Sequence, residues 1–320
     1  MAVYTEITDS DLDQFMAAYD LGRAVSCKGI AEGIENTNYL VQTEDRRFIL
    51  TLYEKRVHKQ DLPFFLGLMA HLADKGMPCA VPIAGRDGES LRELCGRPAA
   101  LVTFLDGVWP RNPGPVHCDH LGRAMAHMHL AGDDFELQRK NDLSLEGWQG
   151  LFDVCGANAN RLQKGLRTKI RHELSALSEV WPSDLPAGVI HADLFPDNVF
   201  FLDQKLSGLI DFYFACNDFL SYDLAVALNA WCFNQKDELL LENAAALIAG
   251  YGTVREITSA EISALPILAR GAALRFFLTR LQDWPDGGLR GKAETKEPLQ
   301  FWRRLEVHRA LSGAGDYGLS

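Results

Sequence analysis

No two cysteines in this 320-residue chain stand in a C-x-x-C spacing. The seven present, Cys27, Cys79, Cys95, Cys118, Cys155, Cys216 and Cys232, are scattered and odd in number. That pattern argues against a disulfide framework and for buried thiols in a reducing cytoplasm. No uninterrupted apolar run approaches the ~18 residues of a membrane span. The opening MAVYTEITDSDLDQF has neither the basic start nor the apolar stretch of a secretory leader, so a cytoplasmic protein is expected. Basic residues are in deficit, 32 against 43 acidic, giving a formal charge of −11. The global field therefore disfavours nucleic acid and anionic membranes, although a local basic pocket for phosphates stays open. H-E-x-x-H and G-x-S-x-G are both missing, which removes the usual signatures of a zinc protease and a hydrolase nucleophile elbow. Internal repeats and low-complexity tracts are absent too.

What is present is a chain of ordinary globular composition, 47% hydrophobic and 23% charged, long enough for two lobes or one large domain. Its most informative stretch is HADLFPDNVFFLDQKLSGLIDFYFA, residues 191–215. Asp193 follows His191 by two, Asn198 follows by five more, and Asp211 lies thirteen beyond that. Val199–Leu202 and Leu206–Ile210 read as two strands joined by a polar turn at 203–205. Folding that hairpin would bring Asp193 and Asn198 toward Asp211. One carboxylate could then accept a hydroxyl proton while an amide and a second carboxylate hold Mg²⁺ against phosphate oxygens, as in kinase-type phosphoryl transfer. The plainer reading, a structural hairpin with Pro196-Asp197-Asn198 as its turn, leaves both aspartates unexplained. His191 reads as support for the loop, bonding a backbone carbonyl or Asp211.

Upstream, Ser10-Asp11-Leu12-Asp13 reads as a capping box, and Leu12, Phe15, Met16 and Tyr19 give the helix after it an apolar face running to Gly22. A polar loop over Gly29–Asn36 precedes strands Thr37–Thr43 and Arg47–Tyr53. Gly29 and Gly33 would let backbone N–H groups approach phosphates, although this loop matches neither G-x-G-x-x-G nor G-x-x-x-x-G-K-[ST]. A helix over Asp61–Lys75 ends at Gly76. A weak strand follows at Glu89–Leu94 and a strong one at Ala99–Phe104. Leu105-Asp106-Gly107 marks the boundary between an N-terminal lobe, 1–106, and a C-terminal lobe, 107–320. The second lobe reads as helices over Val116–Leu130, Glu146–Cys155 and Asn158–Glu179, broken near Gly156. After the hairpin come helices at Tyr222–Phe233, Lys236–Tyr251, Ser259–Gln282 and Glu297–Ala310, with a Gly- and charge-containing loop at Asp286–Thr295.

Two constellations invite over-reading. His117, His120 and His127 could share one helix face, yet no Cys or carboxylate completes a zinc spacing. Phe276, Phe277, Trp284 and Trp302 could line a pocket but are better read as core. Arg46-Arg47 and Arg303-Arg304 read as solvated surface pairs.

Taken in order, GIENTNYLV, FILTLYEKR, VTFLDG, HADLFPDNVFF, LIDFYFA and SYDLA resemble the aminoglycoside phosphotransferase and choline kinase superfamily. Within it they most resemble the homoserine kinases of the ThrB type. The resemblance implies an α+β, two-lobed protein-kinase-like fold, with a small antiparallel-sheet N-lobe and a mainly helical C-lobe carrying the catalytic hairpin. It also implies an ATP- and Mg²⁺-dependent enzyme that converts L-homoserine to O-phospho-L-homoserine, with no obligate protein partner. Carried over, Asp193 would match the catalytic Asp, and Asn198 and Asp211 the metal ligands. The phosphate loop would take in Gly29, Gly33, Asn36, Thr37 and Asn38, and the adenine hinge Thr103, Phe104 and Leu105. Asp223 would match an aspartate that anchors the catalytic loop through backbone hydrogen bonds. One departure stands out: where many relatives carry a phosphate-binding Lys or Arg in the third strand, this chain has Thr51. Lys55, Arg56 or Lys28 would have to supply that cation. Acceptor alternatives are choline or ethanolamine, methylthioribose and an aminoglycoside; a catalytically silent kinase-like binding module is the alternative of another class. A zwitterionic acceptor would need a cation for its carboxylate and an acceptor for its ammonium, with Asp218, Arg275 and Arg280 as candidate pocket groups.

Overall fold

Alternation of apolar and open positions along Thr37–Gln42 and Arg47–Leu52 makes strands β2 and β3 of an antiparallel sheet. Its other strands are β1 (Ser26–Gly29), β4 (Leu91–Leu94) and β5 (Arg97–Thr103), in the order β1-β2-β3-β5-β4. The computed structural model describes residues 4–30, 36–54, 57–284, 297–311 and 313–318. It divides into two units. The first holds the chain up to Gly107 and also Ser207–Tyr213; the second holds Val108–Leu206 and the described chain from Phe214 onward.

In the first unit, helix α1 (Asp9–Met16) lays Leu12, Phe15 and Met16 against Tyr39, Val41, Phe48 and Leu50 of the sheet. Its cap differs from the sequence expectation. Thr8, not Ser10, is the N-cap, and Asp11 closes the box by accepting the Thr8 N–H at 2.9 Å. The Thr8 hydroxyl accepts the Asp11 N–H at 3.2 Å in return, so both bonds of the box run between these two residues. Helix α2 (Leu62–Asp74) ends where Gly76 adopts φ +82°, a left-handed position that a side chain would strain.

The second unit is mainly helical: α3 (Pro115–Ala131), α4 (Leu145–Leu162), α5 (Leu166–Val180), α6 (Leu220–Trp231), α7 (Leu241–Gly252), α8 (Ser259–Asp283) and α9 (Pro298–Ala310). Its core gathers Trp148, Ile170, Ile190, Tyr222, Leu268, Phe277, Phe301 and Trp302 around α8. Helix α8 is long and apolar enough to cross a membrane by length and composition, but 67% of its apolar window is buried within the protein. It is a core helix.

Several expectations fail here for identifiable reasons. The helix break expected at Gly156 does not occur: Gly156 lies inside α4 with Phe152 folded over it, and the break comes at Gly165, whose φ is +80°. Residues 236–240 stay outside α7 because Phe233 bridges to Leu239 and Asn234 caps the intervening turn through its side chain. Strands β6 (Ala187–Ile190) and β9 (Cys216–Phe219) form an antiparallel pair, neither member of which was expected from the sequence. Arg304 is buried, donating to the Asn229 carbonyl at 2.6 Å and pairing with Asp237 at 3.1 Å. Neighbours on a helix point about 100° apart, so Arg303 can lean outward while Arg304 faces the core. Five of the seven cysteines are buried, whereas Cys27 is half-buried and Cys95 exposed.

Candidate active site

The segment 191–198 leaves the buried end of β6 and turns back through a short helical turn, Pro196–Asn198, into β7 (Val199–Leu202). β7 and β8 (Lys205–Leu209) form the expected hairpin. Its turn residues Asp203 and Gln204 both have positive φ, 47° and 62°, the geometry of a two-residue type I′ turn. Ala192 is also left-handed at φ +62°, an unfavourable conformation for a residue with a Cβ and one that the surroundings must impose.

Four side chains impose it. Asp223, fully buried on α6, accepts the backbone N–H of His191 at 2.8 Å through Oδ2 and of Ala192 at 2.6 Å through Oδ1. Arg275 of α8, 2% exposed, donates to the Ala192 carbonyl. Trp231 of α6 donates its indole N–H to the Leu194 carbonyl at 2.7 Å. Asn198 Nδ2 donates to the Asp193 carbonyl at 2.8 Å and to its carboxylate at 3.3 Å. Asp193 is thus held on a loop whose backbone is fixed on both sides.

Behind Asp223 stands a chain of donors. Arg255 Nη1 donates to Tyr251 Oη at 3.3 Å. The Tyr251 hydroxyl lies 2.7 Å from His129 Nδ1, and His129 Nε2 lies 3.2 Å from Asp223 Oδ2. A carboxylate can only accept, which assigns the His129 proton to Nε2 and makes Nδ1 the acceptor of the tyrosine hydroxyl. Burial alone would raise the Asp223 pKa; the His129 hydrogen bond, with the nearby His191 and its backbone N–H, outweighs burial and lowers it. Asp223 was legible from SYDLA, whereas Trp231 and His129 carried no signal of this role.

Asp211 belongs to the first unit. It follows β8, is exposed, and has φ +65°, a strained conformation that Asp tolerates better than most residues. Nearby, the Tyr53 and Tyr213 hydroxyls lie 3.1 Å apart, and burial raises the pKa of both, Tyr213 to about 12. Thr51 does not face solvent as a lone hydroxyl. It donates to Asn38 Oδ1 at 2.8 Å across the β2–β3 pair. Thr37 is likewise turned inward, its hydroxyl donating to Glu54 at 2.9 Å, and Asn36 accepts the Glu54 N–H at 3.3 Å. These side chains serve the sheet. Gly29 ends β1, and Lys28 beside it is exposed. Gly33, Lys55 and Arg56 lie outside the described residues. At the end of β5, Thr103 donates its backbone N–H to the Val81 carbonyl at 2.9 Å and accepts the Val81 N–H on its hydroxyl at 2.9 Å, and Phe104 lies under the Arg47 guanidinium, 4.2 Å from ring centre to carbon. Leu105 lies against the Gly208 backbone.

Among the described residues no cluster of three or more His, Cys, Asp or Glu could hold a metal ion. His117 and His120 instead flank the Phe201 ring, and His127 is exposed. The donor set of a single amide and separate carboxylates does suit Mg²⁺, which takes few protein ligands and relies on phosphates and water for the rest. Asn198 fits such a role. Its Nδ2 makes both bonds to Asp193, so its amide oxygen is directed away from them.

A five-stranded sheet unit, a helical unit and a clamped H-x-D-x-x-x-x-N loop define a kinase-like phosphotransferase. The model of the phosphotransferase enzyme family matches residues 26–257, and the chain belongs to that family. It also belongs with the homoserine kinases. Homoserine kinases from Rhodospirillum rubrum and Rhizobium johnstonii are each 56% identical to it, over 320 and 323 residues, covering 100% of both chains in each case. Among solved structures, an amicoumacin kinase bound to AMP-PNP superposes with a TM-score of 0.75 at 15% identity, covering 97% of this chain and 95% of its own. A spectinomycin phosphotransferase gives 0.68 at 15% identity, covering 96% and 99%. Likeness at that identity shows the shared fold.

Proposed function

We propose that this protein transfers the γ-phosphoryl group of ATP to the side-chain hydroxyl of L-homoserine, giving O-phospho-L-homoserine and ADP, a step toward threonine. The observation that carries this reading is the 56% identity to homoserine kinases along the full length of both chains. The clamped loop supports the chemistry. The homoserine oxygen forms the new bond to phosphorus, the bond from phosphorus to the β-phosphate oxygen breaks, and the hydroxyl proton passes to Asp193. Asn198 holds the Asp193 carboxylate in place through its amide N–H. Asn198 and Asp211 are the residues we assign to Mg²⁺, which when bound neutralises phosphate charge. Gly29, Gly33 and the backbone to Asn38 are assigned to the phosphates, and Thr103–Leu105 to the adenine. The phosphate cation, which Thr51 cannot supply, is assigned to Lys55, Arg56 or Lys28.

The test is turnover of L-homoserine, choline, methylthioribose and an aminoglycoside with ATP and Mg²⁺, read by coupled ADP release, for the wild type and Asp193→Asn. Homoserine is expected to be used far better than the others. The substitution is expected to lower kcat by about 10²–10⁴-fold, the usual contribution of a general base, while ATP affinity holds. A loss of less than about tenfold would remove Asp193 from that role. An equal or better rate with choline would replace the acceptor.

A further inference from the structure

An amino-acid acceptor brings a carboxylate that must be matched, and a kinase active site already crowded with carboxylates repels it. We infer that Arg280, on the last turns of α8, is the residue that grips the α-carboxylate of the acceptor and so selects an amino acid over an amino alcohol. The inference rests on the homoserine reading and names a residue for it.

A run of aromatic contacts links Arg280 to the loop that carries Asp193. Its guanidinium lies 4.3 Å from the centre of the Phe301 ring. Phe301 in turn lies 5.2 Å from Phe276 and 6.1 Å from Phe195, which is only two residues past Asp193. Nη1 makes both of its hydrogen bonds to neutral oxygens, Gln300 Oε1 at 2.7 Å and the Glu297 carbonyl at 3.2 Å. The Nε–Nη2 edge, the one that matches a carboxylate with two parallel bonds, makes no hydrogen bond among the described residues.

Two acids near it, Asp237 and Glu297, are taken by other arginines. Asp237 pairs with Arg303 at 2.6 Å and with Arg304 at 3.1 Å, while the Glu297 carboxylate pairs with Arg303 at 3.0 Å. Arg280 therefore forms no carboxylate pair among the described residues, and it is half-buried. Burial first, then the Arg304 charge, brings its pKa down to about 10, while Asp237, Asp193 and Asp197 pull the other way. It stays a cation at neutral pH, and being partly desolvated it gains more from a carboxylate than a surface arginine would.

The two other polar groups considered for the acceptor are already engaged. Arg275 is buried, donates from Nη1 to the Ala192 carbonyl and stacks against the Phe276 and Phe214 rings. Asp218 accepts from Asn141 at 2.6 Å and from the Phe219 N–H at 2.7 Å. Of the two arginines, only Arg280 is open to a ligand: the Arg275 Nε has no partner among the described residues, but that side chain is 2% exposed and closed to an acceptor.

The experiment compares L-homoserine with 3-aminopropanol, the same chain without its carboxylate, in the wild type, Arg280→Gln and Arg280→Lys. The wild type is expected to favour homoserine by about 10²-fold or more in kcat/KM, since a charged site rejects an analogue lacking its partner group. Arg280→Gln should lower kcat/KM for homoserine by about 10²-fold, mainly through KM, and leave 3-aminopropanol turnover and ATP KM within about threefold. Arg280→Lys, which keeps the charge and loses the fork, should fall between. Equal losses on both acceptors in either variant would mean a structural role and overturn the inference. Should the glutamine variant fail to fold, the lysine variant and the wild-type preference still decide. A wild type that uses both acceptors equally also overturns it. A wild type that turns over no homoserine overturns the functional reading and the inference together, whereas good homoserine turnover with an unchanged preference in the variants overturns the inference alone.

Discussion

Asp223 shows how a buried residue can fix the backbone of the loop that carries Asp193, the base we propose. Its two oxygens hold two consecutive backbone N–H groups, and a third bond from His129 keeps the carboxylate oriented. Replacing it by Asn keeps the shape but turns an amide NH₂ toward a backbone N–H, leaving a buried donor without its acceptor at a cost of about 1–3 kcal/mol. Asp223→Asn is therefore expected to lower unfolding free energy by that amount in urea. It should also reduce kcat by tenfold or more, as a misplaced Asp193 loses its line to the hydroxyl, about 10²-fold for displacements near 1 Å. Unchanged kcat beside reduced stability would confine Asp223 to folding. At this scale, spacing made Asp193, Asn198 and Asp223 visible, since a loop that must hold a base needs fixed offsets along the chain. Trp231, Arg275 and His129 were not visible as loop supports, because each comes from a different helix and only folding brings it to the loop.

Helices α3 and α7 meet through glycine. A Cβ on Gly122 would lie 2.2 Å from the Leu247 carbonyl oxygen and 2.7 Å from the Tyr251 nitrogen, while one on Gly250 would lie 2.4 Å from the Asp119 carbonyl oxygen. These are backbone atoms of opposing helices and cannot swing aside. Gly122→Ala should force the helices apart, costing about 1–3 kcal/mol as overpacking does. The same movement would stretch the Tyr251–His129 bond behind Asp223, so kcat should fall with stability. Thermal melts alongside kcat check this, and a variant with wild-type values in both would show that the two helices have room. The helical period of α3 could be read from its apolar residues, but the depth of its contact could not. Gly122 lay inside the expected helix Val116–Leu130 with no sign of the close approach it permits, whereas Gly156 was expected as a break and lies inside α4.

On the scale of the whole protein, the balance of buried groups sets an acid limit. His308 is fully buried, 2.9 Å from the Tyr317 hydroxyl and 3.2 Å from Asn229 Oδ1. Asn229 spends its NH₂ on the Ala225 and Ala269 carbonyls, so its oxygen accepts from His308 Nε2–H and the ring is neutral. Burial, helped by the Arg304 charge, lowers its pKa to about 3 from an ordinary 6.5. The unfolded chain therefore binds a proton near pH 6.5 that the folded chain refuses. Stability from this group is complete above about pH 6.5 and is lost as pH falls toward 3, at up to about 1.4 kcal/mol per pH unit. Urea unfolding between pH 4.5 and 7.5 should show that slope, reduced by one proton in His308→Gln; equal slopes would mean the histidine titrates alike in both states. The sequence by itself determined the class of fold, most of the strands and helices, the H-x-D-x-x-x-x-N spacing and the family, because these depend on short-range periodicity and on residues at fixed offsets. Only the tertiary structure decided which polar groups are spent on folding and which remain for chemistry. Thr37 and Thr51 went to the sheet, Arg304 to the core, Arg275 to the loop, and Arg280 kept a charge facing neutral oxygens. The physical reason is that the partner of a buried polar group is set by which elements meet across the core, and no local pattern in the chain encodes that meeting.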